Sequence, residues 1–479
     1  MDAEGVREEL LAVVAARDAV IVELTALNAR LVERVAELER RLGQDSSTSS
    51  RPPSSDSPFR KPPTRSGRGR SGKRPGKQSG DPGTTLRQVS DPDVVVVCEP
   101  VCCPGCGDAL QTAGLIGQAS RQVFDAVPPP PQPHVTEYRV LSRRCAGCGT
   151  VATGTAPAFA VGPVQYGPEL LAQAANLLAG HYVPVGRSAE LLTAMTGVDV
   201  STGFLAGVRG RAARRLETEF LPHVRQLLRR AGVLHVDETP GRVDGKLAYV
   251  HVACTPHLTA LHTGNRSAKT IDAGQVLPGY SGVIVRDGYA GYGHLVTAVH
   301  AWCGAHLLRD LRGVHDADPV GQLWATAMAD CLLDANHAAS SARDAGQSAL
   351  DEQTLSTIQA HYRGAVAKGL SDNAGAQAGL GRHALTLARR FDEQQQMILR
   401  FATDLTVSFT NNQAERDVRP VKIQQRTSAG GWRTLQGLAD FAVVQSYLST
   451  ATKWGIDKLD ALRQLFTTGA WLPPALAPD

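Results

Sequence analysis

The chain has 479 residues, 42% of them hydrophobic and 20% charged, which is material for several domains of roughly 100 to 200 residues each. Its formal net charge is +4, from 50 Lys and Arg against 46 Asp and Glu, too mild an excess to name a partner by itself. No apolar run approaches the roughly 18 residues of a membrane span, the N-terminus is acidic rather than a basic, apolar leader, and nine cysteines are too sparse for a disulfide scaffold. A cytoplasmic chain with no membrane partner, and with thiols available for metal, is the expectation.

Residues 1–44 read as a coiled-coil dimerisation helix. Leu10, Leu24, Leu31 and Leu38 recur at position d, and Val14, Ile21, Asn28, Val35 and Leu42 at position a, with Arg17 the single break. Apolar positions at a spacing of about 3.5 residues make a seam that needs a partner helix, and one polar Asn at an a position favours a parallel pair in register. A homodimer follows. Residues 45–90 are Ser, Pro, Gly and Arg with few apolar side chains, a composition that cannot offset the entropy of ordering and predicts a disordered basic linker. Between Arg51 and Lys77 nine Lys or Arg stand against one acid, Asp56. That charge either neutralises phosphates without sequence preference or simply solubilises the linker.

Residues 91–165 alternate β-rich runs with two knuckles, Cys103-Pro-Gly-Cys106-Gly and Cys145-Ala-Gly-Cys148-Gly. Two C-x-x-C pairs supply four thiolates, the donor set of tetrahedral structural Zn2+, and predict a zinc-ribbon-like module. Gly107 mirrors Gly149, which selects Cys103 and Cys106 over the neighbouring Cys98 and Cys102. A redox pair is the lesser alternative. Residues 166–225 read as a helix-turn-helix-like segment, with Pro168 in a first helical turn, Gly197 ending a helix, and Ser201 or Thr202 capping the next. Arg209, Arg211, Arg214 and Arg215 on its last helix fit either a DNA-facing surface or a solvated connector.

From residue 226 the pattern becomes α/β. GVLHVDET, KLAYVHVACT, LTALHTG, GVIVRDGYAGY and AVHAWCGAH read as five strands. Asp237 and Asp287 each stand where an apolar run ends, so carboxylates from neighbouring strand ends meet at one sheet edge. Buried singly they would be costly; around hard dications they satisfy one another, and two such metals, Mg2+ or Mn2+, about 4 Å apart run in-line phosphoryl displacement. The third acid is Glu415. It lies on a short helix capped by Thr410 or Asn411, with Asn412, Arg416 and Arg419 on its face; Pro420 should end that helix and leave Lys422 and Arg426 on an adjoining basic segment. Glu238 neighbours Asp237, and strand alternation turns it to the opposite face. Residues 310–400 read as a helical insertion, and Cys303 with His306 forms a C-x-x-H that, with two donors, cannot make a zinc site unaided.

The segments HVDET, DGYAGY, WCGAH and NNQAERDVRPVKIQQRTSAGGWR, in this order, resemble the motifs of bacterial transposases of the insertion sequence 66 family, as do the N-terminal zipper, the QDSSTSSRPPSSD linker and the knuckles. The resemblance implies an RNase H-like catalytic domain over 226–479 with the helical insertion at about 310–400. It also implies a DDE triad at Asp237, Asp287 and Glu415, which binds Mg2+ or Mn2+, cuts the element's terminal repeats and joins the freed 3′-hydroxyls to target DNA. Phosphate contacts fall to Asn412, Arg416, Arg419, Lys422 and Arg426, and accessory proteins of the same element are candidate partners. The readings that stand against it are a hydrolytic nuclease of the same fold and a zinc-dependent dimeric DNA-binding regulator.

Overall fold

The apolar runs between residues 233 and 302 form a five-stranded mixed sheet, in a computed structural model that describes residues 3–43, 88–98, 101–110, 114, 116, 119–124, 134–144, 146–148, 150–428 and 430–475. The linker expected over 45–90 lies outside the described residues except at 88–90. The chain divides into two compact units: Met1–Pro62 with Gln132–Asp479, and Pro63–Pro131.

In the larger unit α1 (Ala3–Gly43) is a single long helix, followed by an antiparallel hairpin of β1 (Ser142–Arg144) and β2 (Val151–Thr153). Then come α2 (Pro168–Ala175), α3 (Val185–Thr196), α4 (Thr202–Glu219) and α5 (Leu221–Arg230). Gly197 closes α3 in the left-handed conformation, φ 68°, and Ser201 caps α4 by accepting the Phe204 amide, the punctuation that the sequence predicts. The sheet contains β3 (Val233–Val243), β4 (Lys246–Cys254) and β5 (Thr259–Gly264), then α6 (Ala268–Ala273), β6 (Val283–Arg286) and β7 (Val299–Trp302). Six helices follow: α7 (Gly304–Ala317), α8 (Leu323–Asp344), α9 (Glu352–Asp372), α10 (Gly379–Glu393), α11 (Gln395–Ile398) and α12 (Arg400–Thr403). The chain ends through α13 (Asn412–Thr427), α14 (Leu435–Lys453) and α15 (Lys458–Thr467). None of the described helices is long and apolar enough to cross a membrane.

Strand order is β5-β4-β3-β6-β7, with β3, β4 and β5 an antiparallel meander and β6 and β7 parallel to β3. Alternation sorts the side chains. Leu234, Val236, Ala253, Ala260 and Ile284 pack with α2–α5, α15 and part of α14. On the other face Val285, Ala301 and Trp302 join the α7–α12 helices, and Val250, Val252 and Leu261 join Ala414, Val418 and Val421 of α13. The helices of residues 166–225 therefore share their core with the sheet.

Two local expectations are corrected. β3 does not stop at the DET of GVLHVDET but continues to Val243, paired with β4 throughout and with β6 only as far as His235. Pro240, which has no N–H to donate, falls where the second edge of β3 carries no ladder with β6. α13 does not end at Pro420 but runs through it to Thr427. Burial of Ala414, Val418 and Val421 along one stripe outweighs the single backbone bond that the proline removes.

On α1, the a and d side chains Val14, Ile21, Leu24, Leu31, Val35 and Leu38 are 42–58% exposed. α1 approaches α10, which leaves most of this seam uncovered in a single chain.

Candidate active site

The register of β3 and β6 places the first two acids. Val233 pairs with Val283, Leu234 with Ile284 and His235 with Val285, a register that directs Asp237 and Asp287 to the same side of the sheet just past the end of this ladder, close enough for the charge of Asp287 to act on Asp237. Both fall on the sheet face that carries Val285 and α13. Asp237 Oδ1 accepts the Glu238 amide at 2.8 Å, and Asp287 Oδ1 accepts the Tyr289 amide at 2.9 Å. Gly288 follows Asp287 because Trp302 abuts it: a Cβ there would overlap the indole. Burial pushes the Asp237 carboxyl well above the ordinary carboxylate range, and the charges of Asp287, Glu238 and Glu415 push the same way. Burial also raises Glu415; Arg309 and Arg419 hold it down and Asp287 raises it again. The three carboxylates occupy one electrostatic neighbourhood, in which the charge of Asp287 makes both Asp237 and Glu415 costlier to ionise.

Glu415 reaches that neighbourhood because Asn411 ties the start of α13 to β3. The Asn411 side chain makes no helix cap, contrary to the sequence reading. Fully buried, it donates through Nδ2 to the Val236 carbonyl at 2.7 Å and accepts from His235 Nδ1 at 3.1 Å, while its amide donates to Cys303 Sγ at 3.2 Å. The Glu415 amide in turn donates to the Asn411 carbonyl at 3.2 Å. One side chain thus sets α13 against the strand residues that flank Asp237. Asn411→Ala leaves the Val236 carbonyl and the His235 ring without these partners, and we expect a loss of roughly 2–4 kcal/mol of stability by urea unfolding. A loss below about 0.5 kcal/mol would deny Asn411 this role.

Glu238 turns away from Asp237 to the face that carries Tyr292, whose hydroxyl donates to its Oε2 at 2.8 Å, and it pairs with Arg266. Burial, then the charge of Asp287, pushes its carboxyl up to about 7. Arg266 lies 3.8 Å over the Tyr289 ring and 5.4 Å over that of Tyr249. The roles of Arg266 and Tyr292 carried no signal in the sequence, because both meet Glu238 only through the fold.

Cys303 and His306 come together with Glu415. Among the described residues one group of three His, Cys, Asp or Glu ligand atoms lies within 4.8 Å of one another, and it is this one. Asp237 and Asp287 stand outside it. The sequence supplied the C-x-x-H but not its third donor, which arrives from 109 residues beyond His306. Gly304 allows the approach: its amide donates to the Phe409 carbonyl at 2.8 Å, and a Cβ would overlap the Phe409 ring.

The basic residues divide. Asn412, Arg416, Arg419 and Arg426 are exposed along α13. Lys422 is half-buried, donates to the Pro240 carbonyl, and is pulled down to about 8 by burial first and then by Arg426 and Arg242. On α4, Arg209 lies 5.4 Å over Trp432 and Arg211 5.0 Å over Phe204, and Arg215 pairs with Glu219 at 2.7 Å and donates to the Leu465 carbonyl. Of the four α4 arginines only Arg214 is exposed. Packing of α4 against α14 and α2 draws the others inward, so they do not make one continuous basic face.

In the smaller unit Cys103 and Cys106 lie in a tight turn. Cys103 N donates to Asp108 O at 2.8 Å, Gly107 N donates to Cys103 O at 2.9 Å, and Gly107 takes φ 82°. The amides of Cys106 and Gly105 aim at the Cys103 sulfur and hold its thiol below the usual range. In the larger unit Cys148 follows β1 and is exposed; Cys145 lies outside the described residues.

Two family models match the chain. One, described as a transposase of the IS66 family, covers residues 163–439, more than half of the chain; the other, described as a family of unknown function, covers residues 4–87. No curated protein matches.

Proposed function

Since the chain belongs to the IS66 transposase family, we propose that residues 226–479 are an RNase H-like, DDE-type catalytic domain that cleaves the ends of a bacterial insertion sequence and joins the freed 3′-hydroxyls to target DNA. The observation that carries this reading is the convergence of Asp237 from β3, Asp287 from the end of β6 and Glu415 from α13, with the effect of the Asp287 charge on the ionisation of the other two. A three-strand meander continued by two parallel strands supports the fold assignment.

A set of carboxylates in which the charge of Asp287 raises both Asp237 and Glu415 fits a hard dication. Mg2+ or Mn2+ bound by Asp237, Asp287 and Glu415 would activate a water or hydroxyl and stabilise the leaving oxygen of the phosphodiester. The chain's own residues do the positioning. Arg416, Arg419 and Arg426 present guanidinium groups to phosphates, Asn412 adds an amide, and Lys422 holds β3 against α13 with its ammonium at the edge of that surface. Arg309 and Arg419 oppose the rise that burial imposes on the Glu415 carboxyl.

Around this core we assign residues 1–44 to dimerisation, 45–90 to a basic linker, and 166–225 to DNA contact, with Arg214 as the outward arginine of α4. Over 91–165 we keep the C-x-x-C cysteines Cys103, Cys106, Cys145 and Cys148 as the thiolates for structural Zn2+, on their sequence spacing alone. The two transposon ends would be brought together by two protomers, in the bacterial cytoplasm, with or without accessory proteins of the same element. Replacing Leu24 and Leu31 together with Lys places charge on the exposed seam. We expect light scattering to fall from dimer to monomer mass; an unchanged mass would remove the zipper from the assembly.

Incubation of the full chain with Mg2+ and labelled DNA bearing the element's own ends tests the function. Cleaved and joined products support the transposase reading, cleavage without joining makes the chain a nuclease of the same fold, and binding without either makes it a zinc-dependent dimeric regulator.

A further inference from the structure

Cys303 and His306 sit at the start of α7, and the catalytic reading above uses neither. Cys303 is wholly buried, which pushes its thiol up to about 11 while no cation is bound, and the amides of Asn411, His306 and Ala305 aim at its sulfur, the first at 3.2 Å, and offset part of that rise. Amide N–H groups directed at sulfur stabilise a thiolate and are typical outer partners of a metal-bound cysteine. His306 Nδ1 is buried without a hydrogen-bond partner among the described residues, a state that asks for an explanation. It lies 4.0 Å from Glu415 Oε1. That gap is too long for a hydrogen bond, but it is close to what two ligands span when each lies about 2.0 to 2.3 Å from one ion.

We propose that Cys303, His306 and Glu415 form a binding site for a thiophilic divalent cation such as Zn2+. Their donor atoms lie within 4.8 Å of one another. Thiolate, imidazole and carboxylate together make a mixed set that favours Zn2+ over Mg2+, and three protein ligands leave a fourth position for water. That position opens beside Glu415, whose side chain is 36% exposed, whereas that of His306 is 11% exposed. Arg309 lies 3.9 Å from the same carboxylate oxygen. The thiolate, carboxylate and dication sum to zero charge, so the guanidinium meets no net repulsion from the loaded site. Binding releases the Cys303 thiol proton to solvent.

Glu415 belongs to both donor sets. Occupation by Zn2+ therefore withdraws it from Asp237 and Asp287, a consequence that rests on the catalytic reading; the binding itself does not.

Titration of the full chain with Co2+ tests the site without reference to any DNA chemistry, so its failure is distinct from a failure of the transposase reading. Wild type should retain one more Co2+ per chain after desalting than Cys303→Ala or His306→Gln, and Cys303→Ala should also lose part of the thiolate-to-cobalt absorption. Equal cobalt content and equal spectra in the wild type and both variants would overturn the proposal. Cys303→Ala opens space in the core, so its melting in metal-free buffer is compared with wild type; if it does not fold, His306→Gln decides.

Discussion

Asp287→Ala abolishes Mg2+-dependent cleavage and joining while DNA binding persists, with an expected loss of at least about a thousandfold. Several kcal/mol of transition-state charge stabilisation come from metal held by such a carboxylate, and each 1.36 kcal/mol is a factor of ten in rate. Asp287 sits at the centre of the acid group, since its charge raises Asp237, Glu238 and Glu415 alike. It also accepts the Tyr289 amide at 2.9 Å, so truncation removes a turn contact as well as a charge. Asp287→Asn keeps an acceptor oxygen for that amide and loses the charge. If the Asn variant is as inactive as the Ala variant, charge is the reason. A strand-transfer rate within tenfold of wild type in either variant would remove Asp287 from the triad, and with it the two-strand geometry on which the proposed function rests.

Asp417→Ala destabilises the fold by roughly 3–5 kcal/mol, the cost of breaking a buried ion pair. Asp417 Oδ2 lies 2.6 Å from Lys453 Nζ, and the two side chains are 5% and 10% exposed. Lys453 also donates to the carbonyls of Thr255 at 2.8 Å and Leu258 at 2.9 Å and to Thr259 Oγ1 at 2.7 Å. Removing the carboxylate leaves that ammonium buried without its counter-charge, at the point where α13 and α14 meet the start of β5. Because α13 carries Glu415, catalysis should fall with stability. Urea unfolding measures the loss, and Lys453→Met in the Asp417→Ala background should return part of it by removing the stranded charge. A single-variant loss below about 1 kcal/mol would mean that solvent reaches the pair.

The sequence by itself determined what depends on neighbours along the chain. Apolar alternation marked all five strands, Gly197 and Ser201 marked helix ends, and the helical run after β7 was plain because its periodicity is local. The acids Asp237, Asp287 and Glu415 were legible as candidates from strand-end position and motif order. The tertiary structure alone decided the rest, since each remaining feature depends on which faces meet across long separations. How far β3 runs beyond its acids depends on which of its edges is paired, and whether Pro420 breaks α13 depends on how much apolar surface the helix buries against β3 and β4. Asn411 reads as a cap until β3 offers its Val236 carbonyl, and Arg209, Arg211 and Arg215 read as a basic face until α4 packs with Trp432, Phe204 and the last turn of α15. Cys303 and His306 are two donors in sequence and become three only where α13 brings Glu415 beside them, because the ligand count of a site is a property of converging elements.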